Sequence, residues 1–198
     1  MNDFSSFMTY ALVAVFAQNM VISGSSGLTG ALAVGVSSPR RTLAVSGFVS
    51  LFATLGSLAV MPFIRYLPVE TAYMPLHGLI LGAAILIFYL IACVVVSGMP
   101  SIKKTVLPLL APAALNGAVM GMPLVANLNG VGDLAGIAGL AFGSGIGFLL
   151  AVVLIALGKQ AADSPAAPPA LRGVPLLVIY IGILSLALSA FGGGMRVI

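Results

Sequence analysis

The chain has 198 residues, of which 61% are hydrophobic and only 6% are charged, with a net charge of +4. A soluble domain carries about 25% charged residues, so this composition excludes a water-soluble fold, and the small positive charge excludes a nucleic-acid partner. A transmembrane helix needs about 20 apolar residues, so roughly six spans account for the whole length and leave no room for a separate catalytic domain. We therefore expect an all-α polytopic protein that forms a single membrane domain, 1–198.

Six apolar segments follow one another along the chain and predict six transmembrane helices. The first, 7–22, is followed by a serine- and glycine-rich stretch and a short apolar piece, 28–36. The later segments are 42–64, 76–96, 106–125, 134–157 and 175–191. Because Pro and Gly interrupt the fourth segment and Gly follows the first, segments one and four are predicted to be broken helices.

Basic residues lie mainly in the predicted connectors after the odd-numbered spans. They are Arg40, Arg41, Lys103, Lys104, Lys159 and Arg172. The even-numbered connectors and the C-terminal tail contain only Arg65 and Arg196 as basic residues. Since Lys and Arg accumulate in cytoplasmic loops, the odd connectors are predicted to be cytoplasmic and both termini to face outward.

The two halves of the chain resemble each other. Segment one carries QNMV at 18–21 before its glycines, and segment four carries LNGAV at 115–119 before Gly121. The pair Gly47-Phe48 in span two has a counterpart, Gly147-Phe148, in span five. With three spans in each half, 1–100 and 101–198 must enter the membrane from opposite sides, which predicts a 3+3 inverted repeat. Broken helices at matching positions of such repeats indicate a site at their interface.

The order and spacing of three stretches resemble a known family. These are QNMV at 18–21 with the glycines after it, LAPAALNGAVMG at 110–121, and GSGIGF at 143–148. The chain is similar to the Rnf/Nqr family of six-span membrane subunits, of A/E-type or D-type. The resemblance implies a redox-driven sodium or proton pump in a bacterial or archaeal cytoplasmic membrane. It also implies a second subunit of the same fold and opposite topology, with four cysteines of the pair holding a two-iron two-sulfur cluster.

The cluster is not expected in this chain. The positions that match the two family cysteines are Thr29 and Gly117, and the single cysteine, Cys93, lies in the third span. A cluster of this kind needs thiolate ligands, ordinarily four, and neither a hydroxyl nor a hydrogen atom can replace them. We therefore predict no cofactor and no metal site for the chain.

The polar and small residues at the two breaks are the candidate site. They are Asn19, Ser23, Ser25, Thr29, Asn116, Gly117 and Gly121. They could line an ion path, or they could pair with freed backbone groups, a contribution of about 0.6 kcal/mol for each hydrogen bond. The sequence shows no nucleophile–base pair and no paired carboxylates, so it predicts no catalytic residue of the chain's own.

Three functional hypotheses remain open at this point. The first is a cluster-free membrane subunit of an Rnf/Nqr-like complex, paired with a second membrane subunit or with a copy of itself, and in contact with other electron-transport subunits and lipid. The alternative is an inverted-repeat transporter of a small neutral solute or Na⁺, unconnected with electron transfer. The third is an assembly protein without a transport role.

Overall fold

The computed structural model describes residues 3–19, 21–22, 27–34, 39–64, 74–119, 121, 133–165 and 168–192. In this part of the chain the regular structure is entirely helical, as predicted. The helices are α1 (Asp3–Leu12), α2 (Leu28–Val34), α3 (Pro39–Ile64), α4 (Met74–Ser97), α5 (Pro100–Ala114), α6 (Leu134–Ala162) and α7 (Val174–Gly192). A π-helical turn, Val13–Ala17, extends α1. The predicted site residues Ser23 and Ser25, and the connector residue Arg65, lie outside the described residues.

Three of the described helices are long and apolar enough to cross a membrane. Their apolar stretches are Arg40–Val60 in α3, Leu76–Ser97 in α4 and Leu134–Ala162 in α6. Asp3–Ala17 and Val174–Leu188 are shorter apolar helices. Large aliphatic side chains cover the outside of the helices, and Val94 and Leu186 are each 73% exposed. Because so much exposed apolar surface is unfavourable in water, the helices belong in lipid, and the chain is a membrane protein.

Several helices continue beyond the predicted apolar segments. Helix α5 begins at Pro100 rather than at 106, and α6 ends at Ala162 rather than at 157. Lys103, Lys104 and Lys159 were predicted in connectors but lie within these helices. Arg40 and Arg41 were likewise predicted in a connector but lie in the first turn of α3, which begins at Pro39 rather than at 42. The prediction erred because hydropathy marks the lipid-embedded part of a helix, whereas backbone hydrogen bonding continues into the polar region. Pro100 also favours an early start, since its fixed φ suits the first helical position.

Helix α6 lies at the centre of the described fold and packs along both α1 and α3. On the side facing α1, a Cβ at Gly139 would overlap the Phe7 carbonyl oxygen, and a Cβ at Gly143 would overlap that of Ala11. On the side facing α3, a Cβ at Gly145 would overlap Ser50. Small residues therefore bring three backbones into direct contact, the usual means of helix association in lipid.

Helices α1 and α6 run parallel, since residues further along α1 contact residues further along α6. The two helices are also joined near their N-terminal ends, because the Ser6 hydroxyl of α1 donates a hydrogen bond to the carboxylate of Asp133, which precedes α6. Asp133 caps α6 by accepting from the Gly136 N–H at 3.0 Å. The Ser6 hydrogen bond, helped by that of Gly136, lowers the pKa of Asp133. The hydrogen bonds to the ionised Asp133 carboxylate therefore stabilise the fold at neutral pH, and this stabilisation is lost as the pH falls through the lowered pKa of Asp133.

Replacing Gly143 by Ala tests the close packing of α1 on α6. The added methyl group must displace the backbone at Ala11, so Gly143→Ala should lower the free energy of unfolding by about 1–3 kcal/mol. The control is Gly182→Ala in α7, where an added Cβ meets no atom within 4 Å. Unfolding of both variants in mixed micelles measures the difference. Equal stability of the two variants would contradict the described packing.

Candidate functional site at two helix breaks

The first break follows the π-helical turn and is held by Asn19, which is 1% exposed. Its Oδ1 accepts from the backbone N–H groups of Val21, at 3.1 Å, and Ile22, at 3.2 Å. Its Nδ2 donates to the carbonyl oxygens of Val15, at 2.9 Å, and of Gly147 in α6, at 3.0 Å. Both donors and both acceptor positions of the amide are thus used. One side chain satisfies the freed backbone and ties the break to α6.

The second break follows α5. The helix continues through Pro108 and Pro112 and ends at Ala114, so the prolines themselves do not interrupt it. Leu115 and Asn116 are non-helical, and a short helical turn at 117–119 follows. The Asn116 Oδ1 accepts from the Ala118 N–H at 3.0 Å and caps this turn. Its Nδ2 is buried and has no hydrogen-bond partner among the described residues.

The two breaks meet at Gly27 and Asn116. Gly27 has φ +85°, and a Cβ there would overlap the Asn116 Oδ1 and lie 3.0 Å from the Ala118 backbone nitrogen. A Cβ at Gly30 would lie 3.0 Å from the Asn116 Nδ2. Only glycine combines the left-handed backbone with this close approach. The segment that enters α2 therefore packs directly on the turn after α5, and we call this contact the junction.

No protein-family model matches the chain. Several curated proteins, however, are similar to it in sequence. The A subunit of the Na⁺-translocating ferredoxin:NAD⁺ oxidoreductase complex of Acetobacterium woodii is 27% identical over 183 residues, which are 91% of this chain and 93% of that protein. The A subunit of the ion-translocating oxidoreductase complex of Syntrophotalea carbinolica is 28% identical with the same coverage. The protein of the same name from Histophilus somni strain 2336 is 30% identical over 173 residues, covering 83% of this chain and 86% of that protein.

The chain belongs to the Rnf/Nqr family. The resemblance predicted from the two break motifs and the 143–148 stretch is therefore confirmed. The similarity covers most of the chain rather than one segment.

The structure brings some of the predicted site residues together. Asn116 and Gly117 lie on one side of the junction, and Thr29 lies in α2 between the two glycines of the other side. The Thr29 side chain is outside the described part. Gly117 and Gly121 are helical and half-buried. Asn19 is held instead against α6 by Gly147, so the two asparagines have different surroundings.

Three glycines important to this Rnf/Nqr protein were not among the predicted site residues. Gly27 and Gly30 form one wall of the junction, and Gly147 supplies the carbonyl that binds Asn19. The signal for Gly147 was its match with Gly47 in the other half, which indicates a repeated position. Gly27 belongs to the stretch that carries the family resemblance, but its backbone angle and its contact with Asn116 could not be predicted, because they arise only in the folded chain.

Leucine substitutions at the two asparagines should have unequal effects. Asn19→Leu removes four hydrogen bonds and should lower the free energy of unfolding by about 2–4 kcal/mol, taking roughly 0.6–1 kcal/mol for each. Asn116→Leu removes one side-chain hydrogen bond and should cost about 1 kcal/mol. Unfolding of both variants in mixed micelles provides the comparison. A larger loss for Asn116→Leu would contradict the described hydrogen bonding.

Proposed function

We propose that this Rnf/Nqr family chain serves as a membrane subunit of an ion-translocating electron-transport complex and holds no iron–sulfur cluster of its own. The main observation is the junction, where the family's broken helices meet without a thiol. The relatives in Acetobacterium woodii and Syntrophotalea carbinolica are both named as the A subunit of such complexes. Their names and the similarity along most of the chain support the same kind of complex here.

The residues at the junction do not fit a two-iron two-sulfur cluster. Gly117 offers no side chain, and the Asn116 amide oxygen already accepts from a backbone N–H. The free atom at this point, Nδ2, is a donor and cannot bind iron. Cys93, the one thiol of the chain, lies in α4, away from both breaks along the sequence. Because such clusters depend on thiolates, any electron-transfer step through the complex is assigned to other subunits.

The two asparagines are proposed to act as structural clamps rather than as ligands of a moving ion. An asparagine binds Na⁺ through its amide oxygen, and the Asn19 oxygen already accepts two backbone N–H groups. Diverting this oxygen to an ion would leave those N–H groups unpaired in a low-dielectric environment, which is unfavourable. The site residues therefore support the helix breaks, and the chain contributes a scaffold beside the ion path.

A second membrane subunit of the same fold and opposite topology is the proposed partner. The junction reaches the surface of the chain at Leu115, which is 58% exposed, and Gly117 is half-buried. A facing subunit would cover these residues and complete the burial of the break. A homodimer is the other arrangement that the same surface allows, and the composition of the purified complex distinguishes the two.

An inverted repeat of three plus three spans is the proposed topology, with both termini outside the cytoplasmic membrane. Helix packing supports it: α1 contacts α6 in the way that α5 contacts α3, and α3 contacts α6 between them. In an inverted repeat, α1 corresponds to α5 and α3 corresponds to α6, so the contact of α1 with α6 is equivalent to the contact of α5 with α3. Arg40 and Ala44 near the start of α3 line one cavity with Thr105 and Pro108 near the start of α5, so this pair is parallel like α1 and α6, which agrees with six alternating spans.

Iron analysis tests the absence of a cluster. The chain purified alone should contain no stoichiometric iron by mass spectrometry and no cluster signal in electron paramagnetic resonance after reduction, because it has a single thiol. The Cys93→Ala variant is the matched control and should give the same result. Stoichiometric iron on the isolated chain, lost in Cys93→Ala, would refute this part of the proposal. Iron found only in the whole complex belongs to the other subunits.

Cysteine labelling tests the topology. In a Cys93→Ala background, Ser5→Cys and Ala170→Cys place single thiols at exposed positions near the N-terminus and after α6. A membrane-impermeant maleimide should label Ser5→Cys in intact spheroplasts, and Ala170→Cys only after permeabilisation. Labelling of both positions from the same side, or the reverse pattern, would overturn the proposed orientation.

A further inference from the structure

A cavity of about 360 Å³ lies between α3 and α5, apart from the junction. It is lined by Arg40, Arg41, Ala44, Thr105, Pro108 and Leu109. The polar lining residues are Arg40, Arg41 and Thr105, and the apolar ones lie on the following turns of the two helices. The first residues of α3 lie opposite the first turns of α5, so the two helices begin at the same end of the fold. The volume is in the range of small-ligand sites.

Positive charge is concentrated around this cavity. Besides the two arginines, Lys103 and Lys104 are exposed on the first turns of α5, next to Thr105. Neither α3 nor α5 carries an acidic residue in its first turn. The N-terminus of a helix already carries a partial positive charge. These groups repel one another, and the cavity-lining residues that the structure describes include no carboxylate that relieves the repulsion.

The cavity lies at the depth of lipid head groups. Arg40 is the first residue of the membrane-length stretch of α3, and the apolar residues of the cavity follow one turn later. Its polar part therefore faces the phosphate region of the bilayer, and its apolar part faces the start of the acyl chains. Basic pockets between transmembrane helices are suited to anionic lipid head groups.

We propose that this cavity binds the phosphate of an anionic phospholipid such as phosphatidylglycerol. The planar guanidinium of Arg40 or Arg41 matches two phosphate oxygens at once, and the Thr105 hydroxyl is a further donor. Ala44, Pro108 and Leu109 provide an apolar surface for the glycerol and the first methylenes. The bound anion offsets the repulsion between the basic residues at the N-terminal ends of α3 and α5 and thereby stabilises the packing of these two helices.

Lipid binding to the purified full-length chain in detergent tests the proposal. Phosphatidylglycerol and phosphatidylcholine are titrated separately and bound lipid is counted by native mass spectrometry. Phosphatidylglycerol should bind more tightly than phosphatidylcholine. Each basic residue near a membrane surface raises the affinity for anionic lipid roughly 5-fold. The double variant Arg40→Gln/Arg41→Gln should therefore weaken phosphatidylglycerol binding roughly 25-fold.

Two further variants separate a shaped site from general attraction. Lys159→Gln removes a positive charge outside the cavity lining and should leave the affinity unchanged. Ala44→Phe keeps every charge but fills the apolar part, and it should reduce phosphatidylglycerol binding while the fold, checked by circular dichroism and size-exclusion chromatography, persists. Equal losses in Lys159→Gln and in the double arginine variant would overturn the proposal.

Two other occupants give different results. If inorganic phosphate protects the chain from thermal unfolding as well as phosphatidylglycerol does at equal concentration, the site recognises a free anion and the lipid assignment fails. If the isolated chain binds phosphatidylglycerol but the purified complex does not, an acidic segment of another protein in the complex occupies the cavity, and the assignment also fails. Retention of the lipid in the complex, with its loss in the double arginine variant, supports the proposal.

Discussion

Backbone groups released by a helix break cannot remain unpaired inside a membrane, and the arrangement of this chain depends on meeting that requirement. In lipid there is no water to replace a lost helical hydrogen bond. Asn19 meets the requirement at the first break with all four hydrogen-bonding positions of its amide. At the second break, Asn116 meets part of the requirement with one side-chain hydrogen bond, accepted from the Ala118 N–H. The junction forms because Gly27 lets the chain pass against Asn116 with a left-handed backbone.

This requirement also explains how a member of the Rnf/Nqr family can keep its fold without the family's thiols. The breaks are supported by amides, glycines and a carbonyl of α6 instead. With a single thiol in the chain, the proposed cluster-free role depends on this support of the breaks by residues other than cysteine.

Much of the fold could be predicted from the sequence, because apolar runs of sufficient length have few alternatives to a helix in lipid. Helices α4 and α7 begin and end within two residues of the predicted segments 76–96 and 175–191. The charged residues at the ends of α3, α5 and α6 were wrongly predicted to lie in connectors, because hydropathy does not report where a helix ends beyond the membrane. The asparagines could be identified beside Gly-rich and Pro-rich stretches. Their contacts with Gly147 and Gly27 could not be predicted, because these glycines are far from them in sequence and are brought to them only by tertiary packing.

The glycines spaced along α6 have a mechanical consequence. Gly139, Gly143 and Gly147 allow the backbone of α1 and its π-helical turn to rest on α6 over several turns, and Ser6 with Asp133 joins the same two helices at their beginning. Helices in such close contact have little room to slide past each other. Helices α1 and α6 therefore form one rigid unit, and Asn19 attaches the first break to it.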